Sequence, residues 1–518
     1  MTRHHASSPE NSFAVAGTLA QSAGMRISQH QASSVSRHEQ GRGVLRERAY
    51  VAGRWIDAPS GARIAVRNPS TGDRLGSVPD LGIDAMRHAI DAAQDAFPTW
   101  SRLLPRQRGD ILMAWHDLML SNRDALAALM TLEQGKPLDD AAGEIDYAAG
   151  FVRWFAEEAS RAYGDVIPSH LPDRKLFAQR EPIGVVGLVT PWNFPAAMLT
   201  RKAAAALAAG CTAVAVPSSE TPFSALVLAG LAEEAGLPPG VLSVLTGDAK
   251  LLVGELCRDA RVRGLSFTGS TEVGRLLMMQ CAPTIKRLSF ELGGHAPFLV
   301  FADADFDAAV AAAVAAKYQT SGQDCLAANR IFVAREIYEP FAQAFAAAAR
   351  QLKVGDGFAP GVEIGPLVNE ATIAKSEAHV ADALAKGARL LCGGRRLTAD
   401  SLFYEPTALA DATPDMRIMR EETFGPVAAL APFDDEAGAL AAANASEYGL
   451  VAYVFTKDLA RAHRLGDALE YGMVAVNTMK LTGAPIPFGG VKQSGLGREG
   501  SRHGLDEYTA LKYLCVAI

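Results

Sequence analysis

The 518-residue sequence contains only six cysteines, and their positions exclude two common uses of this residue. They are scattered along the chain, with no C-x-x-C pair and no histidine at metal-ligand spacing. This pattern argues against a disulfide framework and a structural zinc site, and it favours a reducing compartment, here the cytoplasm. The cysteines are Cys211, Cys257, Cys281, Cys325, Cys392 and Cys515.

Long apolar runs and basic clusters are also missing. No run of about 18 apolar residues occurs, so the sequence predicts no membrane-spanning helix. The net charge of −7, without a basic stripe, makes nucleic acid and anionic membranes unexpected partners. What the chain has instead is 49% apolar and 21% charged residues, the composition of a globular protein with a large core. Its length predicts two or three domains.

Residues 1–48 differ in composition from the rest of the chain. They contain eight serines and six arginines against three acids, with few large apolar residues. We predict a disordered tail. The composition also has some likeness to an organelle transit peptide. Two other interpretations stay open, a nonfunctional extension and a start codon placed too early, with Met25 as the internal candidate.

From residue 181 onward, short apolar strands alternate with helices. The first stretch predicts strands at 183–189, 212–216, 241–245 and 264–267, and helices at 196–209 and 222–235. After residue 291 the pattern predicts strands at 298–301, 331–334, 427–430, 451–455 and 473–476, and helices at 304–316, 337–352, 373–386 and 459–469. A helical layer precedes them at 84–164. The alternation predicts two doubly wound parallel-sheet α/β domains that bind ligands beyond the carboxyl ends of their strands.

Cys325 lies among small and polar residues, between an alanine-rich helical run and an apolar strand. A cysteine on such a loop can be reached by a substrate, but it acts as a nucleophile only as the thiolate. The other interpretation is a buried cysteine that packs as a small hydrophobe. This window alone leaves both open.

Three other stretches follow strands of the first sheet. Asn193 lies between two prolines and could donate to a developing oxyanion, or be an ordinary turn residue. Gly269 and Ser270 open a helix and could face a phosphate, although Ser270 could equally be a simple N-cap. Glu291 lies between apolar residues before two glycines, where burial would raise its pKa toward that of a general base, unless it lies on a strand edge.

Taken together, these motifs resemble the aldehyde dehydrogenase superfamily over residues 49–518. The motifs are Asn193, Gly269-Ser270, Glu291 with its paired glycines, Cys325, and Glu421-Glu422-Thr423-Phe424-Gly425-Pro426. Within the superfamily the chain resembles the succinate-semialdehyde dehydrogenase group most, through Arg201-Lys202 and the segments 449–453 and 487–500. The resemblance implies oxidation of a short semialdehyde, such as succinate semialdehyde, with NAD(P) and without a metal.

The resemblance also implies roles for individual residues. Cys325 would attack the aldehyde, the Asn193 amide would hold the oxyanion, and Glu291 would activate water to hydrolyse the thioester. Lys202 would help relay protons. The implied cofactor-binding residues are Trp192, Ser219, Gly269, Ser270, Glu422 and Phe424. The implied substrate-binding residues are Arg201, Gln319 and Thr482.

The resemblance further predicts the domain bounds. Residues 49–165 and 183–292 would form the NAD(P)-binding domain, and residues 293–495 the catalytic domain. Residues 166–182 and 496–518 would form an arm that pairs subunits into a homodimer or homotetramer.

The sequence departs from the family pattern at several positions. Val216 replaces the lysine that contacts the adenosine ribose, so we expect weaker cofactor binding and leave NAD or NADP open. Gln319 stands where the group has an arginine that binds the substrate carboxylate. One guanidinium that would donate two parallel hydrogen bonds to that carboxylate is therefore absent. Lys480 would compensate if it pointed inward, although a loop lysine is more often solvated. Asp324 replaces a threonine beside the nucleophile, and we expect its side chain to point away from the sulfur.

Two other functions remain open at this stage. A CoA-acylating aldehyde dehydrogenase would pass the thioester to CoA instead of water, although the retained Glu291 favours water. A structural or binding member of the fold without catalysis would fit the departures at Val216, Gln319 and Asp324. The intact Asn193, Glu291, Cys325 and Glu422 argue against it.

Overall fold

Two mostly parallel sheets, each covered by helices, organise the chain. A computed structural model describes residues 36–518, and Arg37–Ile518 forms one compact unit. The two doubly wound α/β domains that the strand–helix alternation predicts are confirmed. The α-helices in the described residues are α1 Arg37–Gly43, α2 Ile83–Arg102, α3 Pro105–Ser121, α4 Arg123–Gln134, α5 Leu138–Glu158, α6 Pro195–Ala209, α7 Pro222–Glu234, α8 Ala249–Arg258, α9 Thr271–Cys281, α10 Phe306–Tyr318, α11 Tyr338–Gln351, α12 Glu370–Ala385, α13 Glu436–Asn444 and α14 Leu459–Ala468.

The first sheet has the strand order β19-β11-β10-β7-β8-β9-β1-β2. Its strands are β1 Ala49–Val51, β2 Arg54–Ile56, β7 Val185–Thr190, β8 Thr212–Pro217, β9 Leu242–Val244, β10 Val262–Thr268, β11 Arg287–Glu291 and β19 Gly495–Leu496. Strands β7 to β11 run parallel, and β7 and β8 are buried along their whole length, as expected for strands with helices on both faces. Because β11, β10 and β7 are neighbours, the loops after them emerge side by side at one edge.

The second sheet has the order β14-β15-β16-β13-β12-β17-β18. Its strands are β12 Ala296–Val300, β13 Ala328–Ala334, β14 Arg389–Cys392, β15 Thr407–Ala410, β16 Val427–Phe433, β17 Val451–Phe455 and β18 Met473–Val476. All pairs are parallel except β14 with β15. The loops that precede β13 and β16 carry Cys325 and Glu422, so these residues lie at the amino ends of their strands.

Two smaller sheets complete the fold. One pairs β3 Arg63–Arg67 with β4 Arg74–Pro79. The other has the order β20-β6-β5, built from β5 Asp165–Ile167, β6 Arg174–Pro182 and β20 Thr509–Ala517. The long β6–β20 pair joins the two segments that the sequence predicts as an arm. Strand β19 belongs to the first sheet instead, so residue 496 is not part of the arm.

The predicted tail over residues 1–48 is wrong in its last part. Helix α1 packs on α4 so closely that a side-chain carbon at Gly41 would lie 2.8 Å from the Ala128 backbone. An ion pair of 2.7 Å joins Arg37 to Asp124, and Val44 is buried. The short helix was missed because seven residues hold too little apolar periodicity to be recognised. The predictions for residues 1–35, including the transit peptide and the Met25 start, lie outside the described residues.

Candidate active site

A cavity of about 900 Å³ lies between the carboxyl edge of the first sheet and the loops that lead into β13 and β16. Ten of the residues that the sequence predicts for the site line it. They are Trp192, Asn193, Arg201, Gly269, Ser270, Gln319, Cys325, Glu422, Phe424 and Thr482. Glu291, Lys202 and Ser219 do not line it.

Asn193 lies on the loop between β7 and α6, which a buried ion pair holds in place. Lys136 donates to the Asn193 carbonyl at 2.8 Å and pairs with Glu144 at 2.5 Å. Glu144 in turn accepts from the Ala196 N–H at 2.9 Å, so a carboxylate caps the first turn of α6. An anion is stabilised at a helix N-terminus, and both ionised side chains are fully buried. The pair therefore fixes the start of α6 and the loop before it.

The Asn193 side chain contacts the loop that carries the nucleophile. Its Nδ2 donates to the Gln323 carbonyl at 3.0 Å. Gln323 is itself anchored, since its Oε1 accepts from the Val368 N–H at 2.9 Å. A side-chain amide has two N–H groups, so this bond leaves one of them for a ligand in the cavity.

The loop before Cys325 makes an unusual backbone turn. Thr320, Ser321 and Gly322 all have positive φ, at 51°, 59° and 70°. At Gly322 a side-chain carbon would lie 2.4 Å from the Gly425 carbonyl oxygen, so only glycine fits there. The turn follows the end of α10, and Cys325 lines the cavity just before β13 begins. The residue therefore lies on the helix-to-strand loop that the sequence predicts.

The surroundings of Cys325 hold its thiol in the protonated form. Burial raises its pKa, and the neighbouring carboxylates Asp324 and Glu422 raise it further, while Arg201 opposes them. The expectation that Asp324 points away from the sulfur is wrong. Asp324 lines the cavity, its Oδ1 accepts from the Leu326 N–H at 2.9 Å, and its carboxylate lies close enough to the thiol to raise the pKa of Cys325.

Glu291 ends β11 and is 2% exposed, so the predicted burial of its carboxylate is present. Neither carboxylate oxygen has a hydrogen-bond partner among the described residues. Burial raises the pKa of Glu291 and the nearby Glu499 raises it further, against the opposing effect of Arg201 and Lys202. The side chain turns toward Gly489, where an added carbon would meet its Oε1 at 2.9 Å. It therefore lies behind the cavity wall, within electrostatic reach of Cys325.

Arg201 and Lys202 share one buried carboxylate that the sequence analysis assigned no role. The Nε of Arg201 lies 2.5 Å from Glu499, and Lys202 Nζ donates to the other oxygen of the same group and to Ser266. The Glu291 carboxyl group lies within electrostatic reach of the same two cations. Glu499 lies in the segment 487–500, which carried the family resemblance without pointing to this contact.

Aromatic and acidic groups line the end of the cavity opposite the Arg201 side. The rings of Trp192 and Phe424 meet edge to face at 5.4 Å. Glu422 Oε1 accepts from the Gly294 N–H at 2.9 Å, and burial raises the pKa of Glu422 to about 7. Ser270 caps α9 through Val273, so the helix N-terminus faces the same space.

Two positions that the sequence relates to cofactor binding are not among the residues that line the cavity. Ser219 is exposed beyond β8, and Val216 is buried in the core of the first sheet, where it offers no polar group to a ligand. Lys375 of α12 lines the cavity instead, close enough to Glu422 to lower the pKa of that carboxyl group. No motif marked Lys375, because it lies on an ordinary amphipathic helix.

At the opposite end, Gln319 and Thr482 are exposed into the cavity from different loops. Tyr147 of α5 lies beside both Thr482 and Arg201, and burial raises its pKa. No sequence pattern points to Tyr147, since a tyrosine in a helical layer gives no signal of its own. These side chains could contact a substrate that enters from this side.

Residues 55–514 match the model of the aldehyde dehydrogenase family, and the chain belongs to that family. The resemblance recognised in the sequence is confirmed. The chain is 53% identical to succinate-semialdehyde dehydrogenase [NADP(+)] GabD of Escherichia coli K12, over 92% of this chain and 98% of that protein. It is 51% identical to a glutarate-semialdehyde dehydrogenase of Pseudomonas putida, with the same coverage of both.

Solved structures agree with these relatives. A structure described as an E. coli NADP-dependent enzyme superposes with a TM-score of 0.91 at 52% identity, covering 92% of this chain and 99% of that one. A succinate-semialdehyde dehydrogenase from Burkholderia pseudomallei gives the same values. In residues 36–518, no helix has the length and apolar character needed to cross a membrane.

Proposed function

We propose that the protein oxidises a short, carboxylate-tipped semialdehyde to the carboxylic acid, with NAD(P)+ as the oxidant. The observation that carries the proposal is the shared cavity of Cys325 and Asn193, with Glu422 and Phe424 lining its other end. The names of the E. coli and P. putida relatives, a succinate- and a glutarate-semialdehyde dehydrogenase, support the same substrate class.

The residues around this cavity fit a nicotinamide dinucleotide. The N-terminus of α9, capped by Ser270, suits a pyrophosphate, and Gly269 lets the backbone approach it. The Glu422 carboxylate suits a ribose hydroxyl, and Trp192 and Phe424 offer flat apolar surface to a nicotinamide ring. Bound there, NAD(P)+ supplies the hydride acceptor. We propose that both NAD+ and NADP+ are used, because the exposed Ser219 carries no charge that would repel a 2′-phosphate.

In the first chemical step, the Cys325 thiol loses its proton to Glu291, which passes it on, and the resulting thiolate attacks the aldehyde carbon. A C–S bond forms while the carbonyl π pair moves to oxygen, which gives a tetrahedral oxyanion. The free N–H of the Asn193 amide and the Cys325 backbone N–H would donate to it. Such a donor contributes about 3 kcal/mol in comparable sites. Loss of the hydride from this carbon leaves a thioester on Cys325.

In the second step, we assign Glu291 as the general base. It would turn from Gly489 toward the cavity, remove a proton from water, and so direct a hydroxide equivalent at the thioester carbon. The C–S bond then breaks, which releases the acid and regenerates the thiolate. Because its pKa is raised, Glu291 accepts this proton more readily than an ordinary glutamate. We assign Lys202, which donates to Glu499, the task of passing the proton onward.

We propose that the protein assembles through its β6–β20 arm and works in the cytoplasm. Apolar side chains of the β6–β20 arm, such as Leu511 and Tyr513, are exposed and would be covered in a homodimer or homotetramer. All six cysteines are unpaired, which suits the reducing cytoplasm.

An aldehyde panel crossed with NAD+ and NADP+ tests this function. Succinate semialdehyde and glutarate semialdehyde are compared with butanal, and reduced cofactor is followed by absorbance. We expect kcat/KM for the acidic aldehydes to exceed that for butanal by about tenfold or more, and no turnover in Cys325→Ala. A parallel reaction with CoA should yield free acid and no CoA thioester. Turnover by Cys325→Ala at the wild-type rate would end the proposal.

A further inference from the structure

Only three basic side chains line the cavity in residues 36–518, and they differ in what else they contact. They are Arg201, Lys375 and Lys480. A carboxylate-tipped substrate needs a cation near its far end, and the lost arginine at position 319 is replaced here by the neutral Gln319. Which of the three cations serves the substrate therefore decides the specificity of the enzyme.

Arg201 is already engaged. Its Nε pairs with Glu499, its Nη2 lies 3.2 Å from the Met198 sulfur, and the guanidinium stacks on Phe488 at 4.2 Å. The side chain is fully buried, so it has little freedom to follow substrates of different length. It adds positive potential to the inner part of the cavity.

Lys375 lines the part of the cavity that holds Glu422 and Phe424. It follows Thr372 on α12 and acts on the carboxyl group of Glu422, which lines the cavity beside Phe424. A cation at this position faces the space that we assign to the cofactor. It is therefore not placed to hold the tail of a substrate that enters past Tyr147.

Lys480 differs from both. It follows β18 on the same segment as Thr482, and its backbone N–H donates to Thr478 Oγ1 at 3.1 Å, which shapes the turn. The residue is exposed yet lines the cavity, and its ammonium makes no ion pair or hydrogen bond with any other described residue. Lys375 likewise has no ion pair or hydrogen bond to a described residue, but it acts on Glu422, whereas Lys136, Arg201 and Lys202 have an anionic or carbonyl partner.

We propose that Lys480 is the specificity-determining cation, which binds the distal anionic group of the substrate at the outer end of the cavity. The Thr482 hydroxyl and the Gln319 amide supply further donors there. A lysine ammonium is a point charge on a flexible side chain. An arginine guanidinium, in contrast, fixes both the distance and the plane of the carboxylate that it binds. Lys480 therefore lets four- and five-carbon semialdehydes bind with similar affinity. This inference rests on the proposed function and names how its substrate is selected.

The test compares Lys480→Gln and Lys480→Arg with Lys250→Gln, a matched control on the exposed start of α8 outside the cavity. We expect Lys480→Gln to lower kcat/KM for succinate and glutarate semialdehyde about ten- to a hundredfold through KM, since a hydrogen bond to a charged group is lost. Butanal should change less than twofold. Lys480→Arg should keep the preference for acidic aldehydes, and the control should match wild type.

A second readout avoids turnover. Saturating succinate should protect Cys325 from iodoacetamide in wild type, as measured by mass spectrometry of its peptide, and should protect less in Lys480→Gln. The protection should weaken with added salt, because an exposed charge is screened over about 10 Å at 0.1 M ionic strength.

The outcomes separate this inference from the proposed function. A wild-type enzyme that prefers acidic aldehydes, together with a Lys480→Gln variant that keeps this preference, overturns the role of Lys480 alone. An equal loss on butanal overturns it too, because that result indicates a structural effect. If wild type shows no preference for acidic aldehydes, the proposed substrate class itself fails.

Discussion

Gly294 offers the sharpest test of how the nucleophile is positioned. It lies between β11 and β12, where a side-chain carbon would sit 2.0 Å from the Cys325 carbonyl oxygen. Nonbonded carbon and oxygen atoms pack no closer than about 3 Å, so Gly294→Ala must move the two segments apart by about 1 Å. A displacement of that size at a reacting group can cost about a hundredfold in rate. Gly294 does not have a positive φ, so the effect is steric.

The assay measures kcat with succinate semialdehyde and the alkylation rate of Cys325 by iodoacetamide. We expect kcat to fall about a hundredfold and the free energy of unfolding to fall by about 1–3 kcal/mol, the usual range for overpacking. Gly466→Ala is the control, since Gly466 is exposed on α14 with open space around it. That change should leave kcat unaltered and stabilise the helix by about 0.5–1 kcal/mol. A Gly294→Ala enzyme with wild-type kcat and stability would refute the reasoning.

Two further predictions concern the carboxylates near the sulfur. Asp324→Asn removes a negative charge that raises the pKa of Cys325, so alkylation of Cys325 at neutral pH should become faster and the acidic limb of its pH profile should move to lower pH. The exposed Asp307→Asn serves as control, and an unshifted profile in Asp324→Asn would contradict the assignment. Glu291→Gln should give one equivalent of reduced cofactor and then stall with a thioester on Cys325, detectable by mass. Unimpaired steady turnover, equal to that of the exposed control Glu234→Gln, would remove Glu291 from the second step.

Much of this architecture could be predicted because its signals are local. Strand β17 was predicted at its observed bounds, and helix α6 within one residue. A fully apolar strand stands out from its neighbours in the sequence, and Gly210 marks the end of the helix. The neighbouring positions of β7, β10 and β11 then follow from the parallel topology, which brings Asn193 and Ser270 to one edge. Short elements with weak periodicity, such as α1 and β14, were missed for the opposite reason.

Contacts between distant segments could not be predicted in this way. A pattern shows that Glu291 is buried, but the direction of its carboxylate depends on Gly489, about two hundred residues away in sequence. The same holds for Glu499, whose two cationic partners lie on α6. The sequence gives each of these groups a charge, and only the packed structure decides which charges cancel. Glu499 engages both Arg201 and Lys202, and Lys375 acts on Glu422, so Lys480 is the cavity cation left for the distal group of a substrate.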